Sequence, residues 1–529
     1  MSDFTCTNAE PVVQVKQGKL KGYEFKDVYR FFGVPYARSR RFEQPKEPRN
    51  WEGIRNANAF GYVCPNLSNP APSDEISVPH RFWPENEHCQ NLNIFTPTLD
   101  ENAKRPVMVW FHGGGFAAGS AIEQIAYDGD SLAKNDGLVV VTVNHRLNAF
   151  GFLDVSDFGG EEFKNSGNCG LADLVYSLKW VHENIKAFGG DPENVTIFGQ
   201  SGGGGKVTAL GQTKEAAGLY QKAIIMSGVI GMSLFGGGSP ATPKEMVSCI
   251  MKNAGVETLA ELQKLDYRLF IMAVNSAMDD LRKEGKSYGW APQAGDYYVG
   301  DPMDVGFSED VLKVPTIVGT CMADFGARDQ VPNKISMTEE EQFNYVKETF
   351  GDNTAKLKEL YEKAYPGKNF AFANSLDLVF TPGSDEYVRE KAKGEAKTWR
   401  YIFAPIFELN GGVAPWHCSD IPFAFRNTEI SPYTYALPYR ERLAKEFGDA
   451  VVAFAKTGDP ATAELAWPAA TPEEVPTMVF DEKSETRVNF DNELLAFFQA
   501  NRPPFDMGAM LRSAPEVPDD EAPGGSWAY

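Results

Sequence analysis

Residues 195–210 read VTIFGQSGGGGKVTAL, and this stretch decides the fold. Val195–Phe198 is a short apolar run, typical of a strand that is buried on both faces. The letters GQSGG follow at 199–203, and a helix is predicted over 207–210 and onward. A serine between small residues in a strand–turn–helix is the pattern of a nucleophile elbow. We therefore predict that Ser201 is a nucleophile; the alternative is a glycine-rich turn around an ordinary serine.

The segments around this elbow predict a mostly parallel sheet flanked by helices. Between two of the predicted strands, leucines at positions such as Leu171, Leu174 and Leu178 recur every three or four residues, which places them on one helix face. Strand, helix and strand in this order indicate a right-handed crossover between parallel strands. Pro11–Phe32 predicts an N-terminal hairpin or meander. The other predicted strands are Val107–Phe111, Leu138–Asn144, Ala223–Met226 and Val314–Val318, and further helices are predicted after Thr338 and over 440–456.

A second glycine-rich segment, HGGGF at 112–116, follows the predicted strand Val107–Phe111. Acyl transfer passes through a tetrahedral oxyanion, which needs N–H donors already in place. Glycines let the backbone come close to that oxygen. We interpret the segment as part of an oxyanion hole, with the N–H of Gly202 as a further donor; a turn without a catalytic role is the alternative.

The general base follows by elimination. In the fold that carries nucleophile elbows, the α/β-hydrolase fold, the acid and then the histidine follow the serine along the chain. Of six histidines, only His417 lies after Ser201. The best-placed acid is Asp324, just beyond the strand predicted at 314–318, and Asp329 and Asp310 are the other candidates.

The composition excludes several classes of partner. The chain has 529 residues and a formal net charge of -21, and an acidic surface repels nucleic acid and anionic lipid. We therefore expect neither a nucleic-acid nor a membrane partner. The N-terminal sequence shows no secretory signal, so a cytoplasmic location is expected. Seven cysteines without a CxxC pair argue against a zinc site and for free thiols.

The domain organisation follows from the distribution of proline, glycine and charge. No linker and no internal repeat is visible inside residues 11–500. We therefore expect one catalytic domain with insertions over 1–500. A Pro-rich, acidic C-terminal tail is expected over 501–529.

From about Gly18 to Phe498, the chain resembles the type-B carboxylesterase family, which includes bacterial esterases and the cholinesterases. The matching segments are Gly33–Ala37, Arg41-Phe42, Cys89–Asn93, Phe150–Leu153, Gly167-Asn168, Gly170-Leu171, Asp173, Trp180-Val181, Asn184-Ile185, Phe188–Pro192 and Ser227-Gly228. The resemblance implies the α/β-hydrolase fold, with an N-terminal β-meander and large helical insertions. It implies a Ser201, Asp324 and His417 triad, and oxyanion donors at Gly114, Gly115 and Gly202. It also implies structural ion pairs of Arg146 with Asp173 and of Arg41 with Glu87.

The chain departs from that family's pattern at three positions. The family usually has Glu before the serine and Ala after it, whereas this chain has Gln200 and Gly202. The family's acid is usually Glu, and here the position holds Asp324. Loss of a glutamate beside the nucleophile disfavours a quaternary-ammonium ester as substrate. Cys64 and Cys89 match a disulfide-bonded loop of secreted relatives, and we expect them to be reduced or only conditionally bridged.

These residues predict hydrolysis of a small-molecule ester through an acyl-enzyme, without a metal or an organic cofactor. One alternative is a catalytically silent binding or adhesion protein. Another is the same machinery acting on an amide, carbamate, thioester or aryl (hydroxycinnamoyl) ester. The aromatic side chains considered as pocket walls are Trp83, Phe116, Trp290, Phe325 and Trp416.

Overall fold

The computed structural model describes residues 3–7, 9–67, 80–229, 239–328 and 331–502. The strands in these residues are β1 (Phe4–Thr5), β2 (Val12–Val15), β3 (Gly18–Lys21), β4 (Tyr23–Phe25), β5 (Val28–Pro35), β6 (Ile54–Asn56), β7 (Asn91–Thr96), β8 (Arg105–Phe111), β9 (Val139–Val143), β10 (Gly190–Gln200), β11 (Lys222–Met226), β12 (Ser239–Pro240), β13 (Lys286–Ser287), β14 (Thr316–Cys321), β15 (Thr398–Phe403), β16 (Pro476–Phe480) and β17 (Glu485–Val488). The helices are α1 (Asp130–Asp136), α2 (Asn148–Phe152), α3 (Cys169–Asn184), α4 (Gly202–Gly211), α5 (Pro243–Ala254), α6 (Leu259–Lys264), α7 (Tyr267–Lys283), α8 (Pro302–Val305), α9 (Glu339–Phe350), α10 (Thr354–Ala364), α11 (Thr381–Lys391), α12 (Ile421–Ala424), α13 (Arg440–Thr457) and α14 (Asn492–Asn501).

One large sheet runs through the described residues in the order β1-β4-β5-β7-β9-β8-β10-β11-β14-β15-β16-β17. The strands from β9 to β16 in this order are parallel, and both edges are antiparallel. The central, mostly parallel sheet predicted from the sequence is therefore confirmed. The strand that precedes Ser201, β10, lies between β8 and β11 in the middle of this sheet.

The central strands of the sheet are buried on both faces, as their apolar runs predict. Every residue of β9, with the sequence VVVTV, is buried. Helix α3 covers one face with Leu171, Leu174 and Leu178, which are all fully buried. A 3₁₀ turn continues α3 to Phe188, and Gly189 ends it in the left-handed conformation at φ 73°.

The bounds of β10 and β14 differ most from those predicted. Strand β10 begins at Gly190, because Gly190 already pairs with Arg105, and its register shifts before Val195. Strand β14 ends at Cys321, because its last residues pair with β15.

Two helical insertions lie beyond the carboxyl ends of the central strands. Helices α5–α8 lie between β11 and β14, and α9–α11 lie between β14 and β15. The capping box predicted at Thr338 and Glu341 begins α9, as expected. Most of the tail predicted at 501–529 falls outside the described residues.

The two ion pairs implied by the resemblance are present. Arg146 Nη2 lies 2.8 Å from Asp173 Oδ1, and both side chains are buried. Arg41 Nη2 lies 2.9 Å from Glu87 Oε1. In the part of the chain that the structure describes, no helix has the length and apolar character needed to cross a membrane.

Candidate active site

Ser201 sits at the sharp turn between β10 and α4. Its φ of 58° and ψ of -127° are strained for a residue with a side chain, as expected of a nucleophile elbow. The turn is held to the neighbouring strand β11, since Ser201 N donates to Met226 O at 2.8 Å. A Cβ on Gly203 would overlap the Phe111 carbonyl, so only glycine lets α4 approach β8 this closely.

The structure brings His417 and Asp324 together. His417 Nδ1 lies 2.6 Å from Asp324 Oδ1, and the two residues are also joined by a backbone hydrogen bond of 3.2 Å. The Asp324 side chain is fully buried, whereas 12% of the His417 side chain is exposed. Of the other acids considered, Asp310 is exposed and precedes β14, at the strand's opposite end. Asp329 lies outside the described residues.

The environment of Asp324 sets its ionisation. The pKa of the Asp324 carboxyl is raised well above its usual range, mainly by burial and then by the nearby Asp420 carboxyl. Two hydrogen bonds oppose this by favouring the ionised form: Ser227 Oγ donates to Asp324 Oδ2 at 3.1 Å, and Cys321 N donates to it at 2.9 Å. Ser227 thus supports a charged acid, a role the sequence did not reveal, although Ser227-Gly228 is among the family-like segments.

Replacing Ser227 by alanine should therefore move the acid limb of the kcat/KM profile to higher pH. Without that donor the pKa of Asp324 rises further, so the ionised form is lost earlier as the pH falls. The plateau kcat should fall by about tenfold or less. Ser384→Ala is the matched control, because Ser384 is fully buried and its hydroxyl has no partner among the described residues. An acid limb in the same place in both variants would contradict this role.

Gln200 links the elbow to the imidazole. Its Nε2 lies 3.3 Å from each ring nitrogen of His417, and its Oε1 accepts a 3.0 Å hydrogen bond from Cys418 Sγ. A neutral amide thus takes the place that a glutamate usually has in the family. The residue beside Ser201 therefore contacts His417 without placing a negative charge next to it.

Two phenylalanines hold the His417 ring. Phe325 lies 4.3 Å from it, centroid to centroid, and Phe380 stacks on it at 4.9 Å with an interplanar angle of 8°. The sequence suggested Phe325 as a wall but gave no signal for Phe380, which comes from the insertion before α11. Trp416, also suggested, instead packs in the core against Phe407 and Tyr433.

The other suggested aromatic residues lie elsewhere. Phe116 packs edge-on against Phe152 at 5.1 Å, and Trp290 packs against Tyr288 at 5.0 Å. Trp83 is partly exposed and contacts Phe60. Phe116 and Trp290 also pack against the hydrophobic core.

The HGGG segment lies against the start of α4. Gly114 and Gly115 have φ values of 82° and 61°, which only glycine adopts easily. A Cβ on Gly202 would overlap the Gly115 backbone, so the two segments touch. Among the described residues, the N–H groups of Gly114, Gly115 and Gly202 have no hydrogen-bond acceptor. Three free donors thus lie close to Ser201.

Replacing Gly202 by alanine, the family's usual residue, should lower kcat by about tenfold to a hundredfold. The added methyl would push the Gly115 backbone away and spoil the position of the donors. KM should change much less, because the donors act on the transition state. Gly295→Ala is the control, since a Cβ there meets open space. Equal kcat values for Gly202→Ala and wild type would show that this close contact has no part in catalysis.

No group of three or more metal-binding side chains is found within the described residues. The residues around Ser201 offer a serine hydroxyl, an imidazole, a carboxylate and backbone N–H donors. This is the set that acyl transfer requires.

The chain is similar to known carboxylesterases. The model of the carboxylesterase family matches residues 9–498. The para-nitrobenzyl esterase of Bacillus subtilis is 32% identical over 91% of this chain and 96% of its own. The phenmedipham hydrolase of Pseudarthrobacter oxydans is 28% identical over 87% of this chain and 92% of its own length.

The chain is also similar to solved structures of esterases. An esterase from the anaerobe Clostridium hathewayi, described as able to hydrolyse aliphatic aromatic polyesters, superposes with a TM-score of 0.90. It is 40% identical, and the match covers 95% of this chain and 100% of that one. A Geobacillus stearothermophilus carboxylesterase is 30% identical and superposes with a TM-score of 0.69. The match covers 92% of this chain and 100% of that one. The chain therefore belongs to the carboxylesterase family of the α/β-hydrolase fold and is a carboxylic ester hydrolase.

Proposed function

We propose that Ser201, His417 and Asp324 form the catalytic triad of this serine esterase. The observation that carries the proposal is the 2.6 Å contact between His417 Nδ1 and the buried Asp324 Oδ1, beside a strained serine. Nδ1 donates to the carboxylate, which leaves Nε2 as the nitrogen that can take a proton. The N–H groups of Gly114, Gly115 and Gly202 are proposed to form the oxyanion hole.

The mechanism follows from these roles. Ser201 Oγ attacks the ester carbonyl while His417 takes its proton, and Asp324 stabilises the resulting imidazolium. The oxyanion then collapses and expels the alcohol, which receives the proton from His417. Water attacks the acyl-enzyme by the same route, releasing the acid and restoring Ser201.

We further propose that the preferred substrates carry an aromatic ring next to the ester bond. The solved relative with 40% identity is described as acting on aliphatic aromatic polyesters, and the Bacillus relative is named for para-nitrobenzyl esters. Phe325 and Phe380 place aromatic surface around the proposed base. Aromatic rings favour stacking against such surfaces, by about 1 kcal/mol for each pair.

The experiment compares matched esters under one set of conditions. We expect a higher kcat/KM for a benzoate or terephthalate ester than for an aliphatic ester of equal alcohol and similar size. An aliphatic–aromatic co-polyester film should release soluble acid in the same assay. A clear preference for the aliphatic ester, with no release from the film, would overturn the substrate proposal while leaving the triad untouched.

We also propose a reducing, cytoplasmic setting. None of the seven cysteines, all of which lie in the described residues, forms a disulfide. Cys64 and Cys89 are both buried, and burial and the neighbouring Cys64 raise the pKa of the Cys89 thiol. Counting reactive thiols in the unfolded protein, purified without reductant, tests this proposal; a stable Cys64–Cys89 disulfide in cells would contradict it.

A further inference from the structure

Lys206 is a fully buried lysine on α4, five residues after Ser201. Its Nζ donates a 2.7 Å hydrogen bond to the carbonyl oxygen of His112, the residue that precedes the three glycines. None of the carboxylates in the described residues forms an ion pair with it at 4.0 Å or less. A buried ammonium thus has a single defined partner, and that partner is the start of the HGGG segment.

Burying the amine of a lysine such as Lys206 costs free energy, because the interior disfavours its charged form. Burial lowers the pKa of Lys206 to about 7, and only the more distant Glu123 and Cys64 oppose this. Its charge also faces the rings of His112 and His145, which stack at 5.2 Å and are fully buried. The pKa of both imidazoles is lowered, mainly by burial and then by the charge of Lys206, so both rings remain neutral. A methionine of similar length would fill the space without this cost.

The place of the hydrogen bond suggests what the lysine does. The glycines that follow His112 are conformationally permissive, so little in their own chemistry fixes where their N–H groups point. Lys206 lies on the same helix whose first residue is Gly202. Its hydrogen bond therefore ties one part of the proposed oxyanion hole to the other.

We propose that Lys206 is a positioning residue for the oxyanion hole, acting through its hydrogen bond to the His112 carbonyl. The inference rests on the proposed function, since it presupposes that Gly114 and Gly115 stabilise an oxyanion. Lys206 itself does not touch the reacting atoms. Its effect should therefore appear in the transition state and not in substrate binding.

The test compares Lys206→Met and Lys206→Gln with Lys391→Met. Lys391 is a matched control, because it is also buried and donates to the carbonyls of Val311 and Val314, which precede β14. We expect Lys206→Met to lower kcat on a para-nitrophenyl ester by about tenfold to a hundredfold, with KM within about threefold. Lys206→Gln keeps an N–H donor but no charge, and its loss should be smaller. Lys391→Met should leave kcat within about twofold.

The outcomes separate the inference from the function on which it rests. Wild-type turnover in the same assay tests the proposed function. A wild type without turnover would overturn both the proposed function and the inference about Lys206. Active wild type with unchanged kcat in folded Lys206 variants would overturn the inference alone. Equal losses in the Lys206 and Lys391 variants would also overturn it, because they would show a general effect of losing a buried lysine. If Lys206→Met does not fold, Lys206→Gln decides by the same kcat criterion.

Discussion

Ser201→Ala is expected to lower kcat by at least ~10³-fold, or ~4 kcal/mol of transition-state stabilisation. The proposed mechanism needs Ser201 Oγ as the atom that bonds to the acyl carbon, and alanine has nothing to replace it. The elbow should persist, because serine and alanine meet the same strain at a φ of 58°. The measurement is hydrolysis of para-nitrophenyl butyrate by the purified variant and wild type.

Two controls make this result specific. Ser336→Ala removes an exposed serine hydroxyl in another part of the chain and should leave kcat unchanged. Thermal unfolding of Ser201→Ala should match wild type closely, since the change deletes one partly exposed oxygen. Turnover by folded Ser201→Ala within tenfold of wild type would remove the serine from the mechanism.

Asp324→Asn is expected to lower kcat by about 10⁴-fold. The amide is nearly isosteric and tolerates the positive φ of 39°, so the backbone should stay in place. What changes is the partner of His417 Nδ1, which loses the negative charge that stabilises the imidazolium. An amide N–H facing the ring would also favour the wrong tautomer. The kcat of the variant on the same ester, across the pH range of the wild-type plateau, measures this loss.

Asp310→Asn serves as the matched control, because Asp310 was a candidate acid and lies exposed before β14. Its kcat should equal that of wild type. A large loss in Asp310→Asn with little loss in Asp324→Asn would reverse the assignment. A small loss in both would point to another buried carboxyl near His417, such as Asp420 or Asp377.

The sequence was most informative where chemistry and local structure share one short segment. The elbow at Ser201 and the glycines after His112 are local patterns, so strand, turn and special backbone could be predicted together. His417 could be found only because one histidine follows the serine. Asp324 could be placed by topology, since parallel strands bring their carboxyl ends to one edge of the sheet.

The remaining contacts are tertiary, and no local pattern encodes them. Ser227 reaches Asp324 from the end of β11, and Phe380 reaches His417 from a helical insertion. The sequence identified Gln200 as unusual, but its contact with His417 depends on where a distant loop comes to rest. Lys206 looks like an ordinary helix residue until the structure shows that it is buried.

Labelling with a fluorophosphonate, followed by peptide mapping of the wild-type protein, addresses the nucleophile most directly. The reagent phosphonylates only a serine that its own site has activated, so it separates a working esterase from a silent binding protein of the same fold. We expect a single adduct on the peptide that contains Ser201, with loss of ester hydrolysis in proportion to labelling. An unlabelled Ser201 in protein that still hydrolyses esters, or an adduct on another residue that accounts for the lost activity, would contradict the assignment of Ser201 as the nucleophile.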